Sequence, residues 1–256
     1  MKQVMMPAIG AAIVLTLFSA IFANQVSASK KQPRINNGNG FAVLELFTSE
    51  GCSSCPPADA LLARIQQDAG NKPIYVLAYH VDYWDRLGWK DVFSQPQYSK
   101  RQYQYSQQLP SQVYTPQLVV NGQTSCIGSD ESAVSNAINE ALGTGAVATL
   151  KIKAQLQPGK ASFTYEISGN TGNSQLLVAV VQKHAVSKVE RGENEGRTLS
   201  HVQVVRDLWA FKLRERKQGM AEINLPENFN AQEWELISMI QNSETGAISA
   251  AARVSL

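Results

Sequence analysis

The sequence predicts an α/β domain followed by a small antiparallel β-sandwich-like domain, which makes the protein α+β overall. Two observations support this fold class. Apolar runs alternate with amphipathic helical patterns over residues 40–143, as they do in sheets with parallel strands. From residue 147 onward, short runs with a period of two replace this alternation, which is typical of antiparallel sheets. We therefore predict two domains, at residues 40–143 and 147–256.

The first domain opens with an apolar strand over residues 41–47. After a polar turn, Cys52-Ser53-Ser54-Cys55 begins a helix that reaches about residue 69, with apolar residues at positions i, i+3, i+4 and i+7. Residues 74–81 form a second strand that is apolar on both faces, as a buried parallel strand is. Together these elements predict a right-handed βαβ unit.

The sequence of the rest of this domain predicts a helix, then a β-hairpin, then a last helix. Residues 94–108 form the Tyr-containing helix, and strands at 117–120 and 124–127 are joined by an Asn-Gly turn. Ser129 or Asp130 caps the last helix. The order βαβαββα is that of the thioredoxin fold, so we expect a thioredoxin-like domain.

The second domain is predicted from alternation and turn residues alone. Its expected strands lie at residues 148–153, 162–167, 176–182, 202–213, 235–241 and 247–254. Gly, Asn and Pro turns separate them, which is the spacing of hairpins in a small β-sandwich.

Residues 1–28 carry the pattern of an export signal. Lys2 precedes an apolar run at 8–22, and Val-Ser-Ala at 26–28 resembles a signal-peptidase site. The run is shorter than the roughly 20 residues of a spanning helix, which disfavours an uncleaved anchor. We expect a signal peptide, a polar linker at 29–39, a periplasmic or secreted protein, and no stable membrane insertion after cleavage.

Composition narrows the function classes. The 256 residues are 44% hydrophobic, and the formal net charge of +2 gives no reason to expect nucleic acid as a partner. Cys52, Cys55 and Cys126 are the only cysteines, so a scaffold held by several disulfides is excluded. Cys126 is interpreted either as a small buried hydrophobic residue or as a further resolving or partner-linking thiol.

The CxxC has a direct chemical interpretation. A helix N-terminus stabilises a thiolate and can lower its pKa from about 8.5 toward about 3.5–7.5. Cys52 can then attack a disulfide, and Cys55, one turn further on, can resolve the mixed disulfide. The alternatives are an inert structural disulfide and a structural zinc site, but zinc usually needs four ligands. We expect no metal at these cysteines.

Five segments resemble one known family. They are ELFTSEGCSSCPPAD, HVDYWDRLGWKD, VYTPQLVVNG, GSD and RGENEGRTLSHVQVVR. The chain resembles the bacterial domain-of-unknown-function family numbered twelve twenty-three, whose members are exported thioredoxin-like proteins. The resemblance covers nearly all of the chain after the linker. It implies a fold and an exported location, and no particular activity.

Thr115-Pro116 matches the position of the cis-proline of thioredoxin-like proteins, which lies against the CxxC. A cis X-Pro bond would leave the Thr115 backbone free to pair with an extended substrate peptide. The alternative is an ordinary trans-proline at the start of an edge strand. We expect the cis form, with both residues in substrate binding.

Glu45 is a candidate proton-exchange group. Thioredoxins carry a comparable acid six residues before the first cysteine, whereas Glu45 lies seven before Cys52. In a strand covered on both faces its carboxylate would be desolvated. We expect Glu45 to exchange a proton with Cys55; the alternative is a strand-end residue that reaches solvent.

The loop after the second strand is a candidate substrate surface. The C-terminal ends of parallel strands share one edge of a sheet, so His80, Trp84 and Trp89 are expected near the CxxC as substrate-binding residues. Tryptophans packed into a domain interface are the alternative. A metal site from His80, Asp82 and Asp85 lacks further ligands and is not expected.

The segment 191–206, which includes His201, is the last distinctive stretch. Mixed charge around two glycines at 191–197 is typical of a solvated hairpin loop. A functional alternative is that the loop folds back over the cysteines. The distance between the two segments distinguishes these interpretations.

The function expected from these patterns is thiol–disulfide exchange on exported proteins or peptides. No dissociable cofactor is required, but a redox partner must recycle the pair. The alternative is a non-catalytic thioredoxin-like binding module for another envelope protein.

Overall fold

A mixed α/β fold dominated by β-sheets is seen in the computed structural model, which describes residues 40–169, 171–213 and 216–254. The predicted signal peptide and linker lie outside these residues. The helices are α1 (Pro56–Ala69), α2 (Pro96–Gln108) and α3 (Glu131–Gly143), with a 3-10 helix at Asp82–Leu87. The strands are β1 (Ala42–Thr48), β2 (Ile74–His80), β3 (Gln117–Val120), β4 (Thr124–Ile127), β5 (Ala148–Gln157), β6 (Lys160–Gly169), β7 (Ser174–Lys188), β8 (Thr198–Lys212), β9 (Gln218–Asn224), β10 (Trp234–Asn242) and β11 (Ile248–Arg253).

The strands form two sheets. Eight of them lie in the order β11-β10-β7-β8-β2-β1-β3-β4, and β5-β6-β9 form a smaller sheet. β1 pairs in parallel with β2 and antiparallel with β3, while β7, β8, β10 and β11 pair antiparallel. Among the described residues, no helix is long and apolar enough to cross a bilayer.

Strand β1 lies at the centre of the first part because its side chains are buried on both faces. Leu44 and Leu46 pack in a core with α1 and α3, whereas Val43 and Phe47 pack in a second core that includes side chains of α2. This explains the unbroken apolar pattern of the strand, since neither face meets water.

Local signals specify the ends of several elements. The Asp130 side chain accepts hydrogen bonds from the backbone N–H groups of Ser132 and Ala133, which confirms it as the cap of α3. Asn121 and Gly122 both have positive φ, 50° and 64°, as the predicted hairpin turn requires.

The second part of the chain packs its small sheet against one face of the large one. Phe163 and Ile167 of β6 share a core with Val178 of β7 and Leu236 of β10. The two sheets therefore bury one apolar core between them.

The large sheet crosses the predicted domain boundary. Ala78 of β2 pairs with Val204 of β8, so four strands from beyond residue 147 continue the sheet that β1–β4 begin. An unpaired strand edge offers N–H and C=O groups to a further strand, and β8 takes that place beside β2. The described residues belong to one compact unit. A domain boundary at 143–147 stays a prediction.

Candidate functional site

The turn between β1 and α1 holds a disulfide. Cys52 and Cys55 are bonded to each other with their Cα atoms 5.4 Å apart. Cys55 is the N-cap of α1, and its carbonyl oxygen accepts the backbone N–H groups of Ala58 and Asp59. The two cysteines are only 1% and 0% exposed. The disulfide thus lies at a helix N-terminus, as predicted, but beneath the surface.

Residues 189–197, here called the cover loop, connect β7 to β8 and lie over this turn. The Asn194 Nδ2 atom donates to the carbonyl oxygens of Glu50 and Cys52 at 2.8 and 2.9 Å. Asn194 is itself buried, which is uncommon for a loop amide. The hypothesis that this loop folds back over the cysteines is confirmed.

A second contact joins the cover loop to the residues between the cysteines. The Ser53 backbone N–H donates to Glu193 Oε2 at 3.0 Å. Hydrogen bonds from Ser53 lower the pKa of the Glu193 carboxyl. Arg197 Nη1 donates to Asn194 Oδ1 at 2.7 Å and holds the Asn194 amide in its orientation.

Both predicted tryptophans contact the turn. Trp84 Nε1 donates to Thr115 Oγ1 at 2.8 Å, and a Cβ atom at Gly51 would lie 3.3 Å from Trp84 Cβ. Trp89 Nε1 donates to Glu50 Oε2 at 2.7 Å. The structure therefore brings Trp84, Trp89 and Thr115 together beside the CxxC.

The Thr115-Pro116 peptide bond is cis, which confirms that expectation. The Pro116 carbonyl oxygen accepts the Gly128 backbone N–H at 2.9 Å. A Cβ atom at Gly128 would lie 3.2 Å from Ala58 Cβ and 3.4 Å from Pro116 Cβ. Pro116 therefore lies close to the first turn of α1, which begins just after Cys55.

The structure does not bring Glu45 to the cysteines. Glu45 Oε1 accepts from Arg101 Nε on α2 at 2.7 Å, and Glu45 Oε2 accepts from the Tyr105 hydroxyl. Since side chains alternate along a strand, Glu45 lies on the face of β1 opposite Leu44 and Leu46, which face α1. The expected proton exchange with Cys55 is corrected: Glu45 anchors α2.

His80 also differs from the expectation. Its ring is fully buried, so it does not line a substrate surface. His80 Nδ1 lies 2.6 Å from Asp91 Oδ2. Burial lowers the pKa of His80, but the charge and hydrogen bond of Asp91, with the charges of Asp59 and Glu50, outweigh burial and raise it. Conversely, burial raises the pKa of Asp91, but His80 and two backbone N–H groups lower it overall.

The remaining acids of the loop have structural partners. The Ser99 hydroxyl donates to Asp82, and the Ser94 hydroxyl donates to Asp85 Oδ2 at 2.8 Å. Within the described ranges, no group of three or more His, Cys, Asp or Glu side chains could hold a metal ion.

Local sequence patterns do not identify the three buried carboxylates of this site, and they give no role to His201. One buried region contains all four side chains: Glu50, Asp59, Asp91 and His201. Glu50 is two residues before Cys52 in sequence, and Asp59 is four residues after Cys55. The i to i+4 spacing from Cys55 to Asp59 is a helical signal that could have identified Asp59. His201 comes from β8, far along the chain, and only the fold brings it here.

Cys126 lies apart from the turn on β4. It is a free, half-buried thiol packed against the core of α1 and α3. Burial, together with the charge of Asp130, raises its pKa to about 11, so the thiol stays protonated at neutral pH. The structure therefore favours the interpretation of Cys126 as a packing residue.

Comparison with solved structures shows an extensive likeness to an Agrobacterium tumefaciens protein. The Agrobacterium tumefaciens protein AGR_C_4864 is 25% identical, and the alignment covers 86% of this chain and 95% of that one with a TM-score of 0.64. A domain of the outer membrane lipoprotein Omp28 from Porphyromonas gingivalis is 13% identical over 43% of this chain and 88% of its own, with a TM-score of 0.27.

Comparison with sequence families gives the assignment. No curated protein matches the chain. The model of a family described as "protein of unknown function (DUF1223)" matches residues 43–241, which is most of the chain and includes every residue of the site described above. The protein therefore belongs to the DUF1223 family.

Proposed function

We propose that the protein catalyses thiol–disulfide exchange on protein or peptide substrates through Cys52 and Cys55. A substrate thiolate attacks Cys52 Sγ, a substrate–Cys52 disulfide forms, and the Cys52–Cys55 bond breaks with its electron pair on Cys55. A second substrate thiolate then attacks the substrate sulfur of this mixed disulfide and displaces Cys52 as a thiolate, which leaves an oxidised substrate and a reduced protein. The reverse sequence reduces a substrate disulfide.

The observation that carries the proposal is the disulfide at the N-terminus of α1, directly after the parallel strand β1. The dipole of a helix N-terminus stabilises a thiolate in this position. A stabilised thiolate is a good leaving group and a nucleophile at neutral pH, as both directions of exchange require.

The proposal includes a thioredoxin-like domain over residues 40–143. Supporting it are the element order β1-α1-β2-α2-β3-β4-α3 and the strand order β2-β1-β3-β4. Trp84 and Thr115, which are joined by a hydrogen bond beside the turn, would contact the substrate with Pro116.

The proposed setting is the periplasm or the exterior, supported by the export pattern of residues 1–28. Disulfides persist in such compartments, and substrates with exposed cysteines are available there. A recycling partner with its own thiol pair completes the cycle, and no cofactor takes part in the steps proposed.

Trapping of the intermediate tests this proposal. In a Cys55→Ser variant the mixed disulfide at Cys52 cannot be resolved, so the Cys52 thiolate of the full chain should attack a disulfide-containing model peptide and accumulate a covalent adduct, with the second peptide thiol as leaving group. Mass spectrometry of the intact adduct measures it. A Cys126→Ser variant is the matched control and should cycle like the wild type. Absence of any adduct at Cys52 under native conditions would contradict the proposal.

One observation favours a second candidate, a non-catalytic binding module. Cys52 and Cys55 are almost fully buried beneath the cover loop, as a purely structural disulfide often is. In that case the pair would resist dithiothreitol until the protein unfolds, and the Cys55→Ser variant would form no adduct.

A further inference from the structure

Five ionisable side chains lie together next to the CxxC, where the exchange proposed above does not yet use them. All are nine-tenths or more buried: Glu50, Asp59, His80, Asp91 and His201. In the same order, they come from the turn after β1, from α1, from β2, from the loop after β2 and from β8. Buried charges of this kind normally form closed pairs, so a member without a hydrogen bond needs an explanation.

One half of the cluster is the His80–Asp91 pair, in which only His80 Nε2 makes no hydrogen bond with the described residues. Asp91 Oδ2 is 2.6 Å from His80 Nδ1 and also accepts the Glu50 backbone N–H at 2.9 Å, while Asp91 Oδ1 accepts the Phe93 N–H at 2.8 Å. Arg206 stacks over the Phe93 ring at 5.1 Å and adds a further positive charge on this side. These contacts satisfy Asp91 completely.

His201 is different. Its Nε2 atom lies 3.4 Å from Glu50 Oε1 and its Nδ1 atom lies 3.7 Å from Asp59 Oδ2, but neither ring nitrogen makes a hydrogen bond with the described residues. The ring is 2% exposed and stands edge-on to His80 at 4.8 Å. Burying an imidazole without hydrogen bonds costs folding free energy. In this position each ring nitrogen faces a carboxyl group, Nε2 that of Glu50 and Nδ1 that of Asp59.

Asp59 connects His201 to the disulfide. Asp59 is four residues after Cys55, on the same face of α1, and helical side chains tilt toward the N-terminus. This spacing directs its carboxyl group toward the end of α1 that Cys55 caps. The Thr48 hydroxyl donates to Asp59 Oδ1 at 3.0 Å and fixes this orientation. Burial raises the pKa of Asp59 against the lowering effect of His201, His80 and Thr48.

We propose that Asp59 carries the proton that Cys55 gains and loses during exchange, and that His201 is the positioning residue that stabilises the Asp59 carboxylate. The inference rests on the proposed function. When the Cys52–Cys55 bond breaks, its electron pair goes to Cys55 and the Asp59 proton follows, so a neutral thiol forms at a buried sulfur. In the reverse step, Cys55 returns the proton to Asp59 as it attacks the mixed disulfide.

Because the proposal concerns pH, all charged groups that face His201 and Asp59 matter. Among the described residues they are Glu50 from the turn, His80 from β2 and Asp91 from the following loop. Arg206 of β8 contacts the Phe93 ring, which itself lies beside the His201 ring. Glu50 keeps its place through Trp89 Nε1 and the Ser187 hydroxyl, both of which donate to its carboxylate. Of the five clustered side chains, Asp59 is the one on α1, the helix that follows Cys55.

The test is the rate at which dithiothreitol reduces the Cys52–Cys55 disulfide of the folded full chain, divided by the concentration of dithiothreitol thiolate at each pH. For the wild type we expect this normalised rate to fall in one step as pH rises, because Asp59 loses its proton. Asp59→Asn should abolish the step and lower the acid-side rate by roughly 100-fold, the lower range for a general acid.

His201→Asn should keep the step but move it to higher pH, since the carboxylate loses its stabilising partner. His184→Asn is the matched control, because His184 is an exposed histidine of β7, and its profile should equal the wild type. If His201→Asn does not fold, as judged by circular dichroism, the isosteric Asp59→Asn alone decides the role of Asp59.

Three results would overturn the inference: a wild-type profile without a step, an unchanged step in Asp59→Asn, or a His201→Asn rate that falls by one factor at every pH while the step stays in place. The proposed function fails separately, if dithiothreitol does not reduce the folded wild type at all. The two failures are thus distinguishable.

Discussion

At the scale of single residues, His80 and Asp91 form an ion pair with no access to solvent. Both side chains are fully buried and their charged atoms are 2.6 Å apart. The raised pKa of His80 and the lowered pKa of Asp91 describe the same preference for the charged pair. Breaking such a pair leaves a charge without compensation, which costs several kcal/mol.

The pair makes stability depend on pH in a defined direction. The contribution of His80 is complete below its ordinary pKa of 6.5 and is lost as pH rises through the raised value. The contribution of Asp91 is complete above 3.8 and is lost as pH falls through the lowered value. The contribution of the pair is therefore greatest between these two ordinary values.

Asp91→Asn tests this assignment. Near pH 5.5 the variant should lose about 3 kcal/mol of unfolding free energy, and the difference from the wild type should shrink as the solution becomes alkaline. Urea unfolding at a series of pH values measures it. Asp68→Asn, an exposed acid of α1, is the control. A difference that does not vary with pH would rule out the ion pair as its source.

At the scale of elements, α2 is attached to the sheet through a buried ion pair. Arg101 of α2 and Glu45 of β1 are 6% and 0% exposed. The guanidinium Nη1 and Nη2 atoms donate to Gln241 Oε1 at 3.0 Å and to the Tyr105 hydroxyl at 2.9 Å. These contacts link the first and last thirds of the chain through one side chain.

Removal of one partner should cost more than removal of both. Arg101→Met leaves the Glu45 carboxylate buried and unpaired, so we expect a loss of about 3–5 kcal/mol, while Glu45→Leu/Arg101→Met loses less. Arg64→Met is the control, since its pair with Glu131 is exposed and should contribute less than about 1 kcal/mol. Denaturant unfolding of the wild type and the three variants measures these losses. If the double variant were the least stable of them, the buried ion pair would not explain the loss in Arg101→Met.

The cover loop is the element that controls access to the disulfide. The Asn194 amide holds two carbonyl oxygens of the CxxC turn, and each such hydrogen bond contributes about 1 kcal/mol. Asn194→Ala should therefore open the loop more often and speed alkylation of reduced Cys52 by about tenfold or more. The rate of iodoacetamide labelling at fixed pH measures this.

Glu193→Gln is the matched variant for this experiment. Its amide oxygen can still accept the Ser53 N–H, so labelling should stay near the wild-type rate. Equal labelling of Asn194→Ala and the wild type would show that the loop does not limit access.

At the scale of the whole molecule, the site is built by both parts of the chain. The cysteines, Trp84 and Asp59 come from the first part, and Asn194 and His201 come from the second. Ala78 and Val204 join the parts in one sheet. The site therefore depends on that sheet, and not on residues 40–143 alone.

Part of this arrangement could be predicted from the sequence. Period-two runs, the Asn121-Gly122 turn and the Asp130 cap are local signals, and the elements that they predict are present. β9 was missed because only Ile223 among its residues is buried, so it shows no alternation of apolar residues.

The role of Glu45 could not be predicted, because β1 is apolar on both faces. Leu44 and Leu46 on one face and Val43 and Phe47 on the other give no sign of which face α1 covers. Likewise, the pairing of β8 with β2 depends on contacts between distant residues, and no local pattern carries it.

The most direct test of the central claim is the redox equilibrium of the folded full chain with glutathione. After equilibration over a series of reduced-to-oxidised glutathione ratios, alkylation and mass spectrometry count the free thiols of Cys52 and Cys55. We expect a reversible transition of both cysteines together, with circular dichroism unchanged and Cys126 reduced throughout. A pair that stays oxidised until the protein unfolds would contradict it.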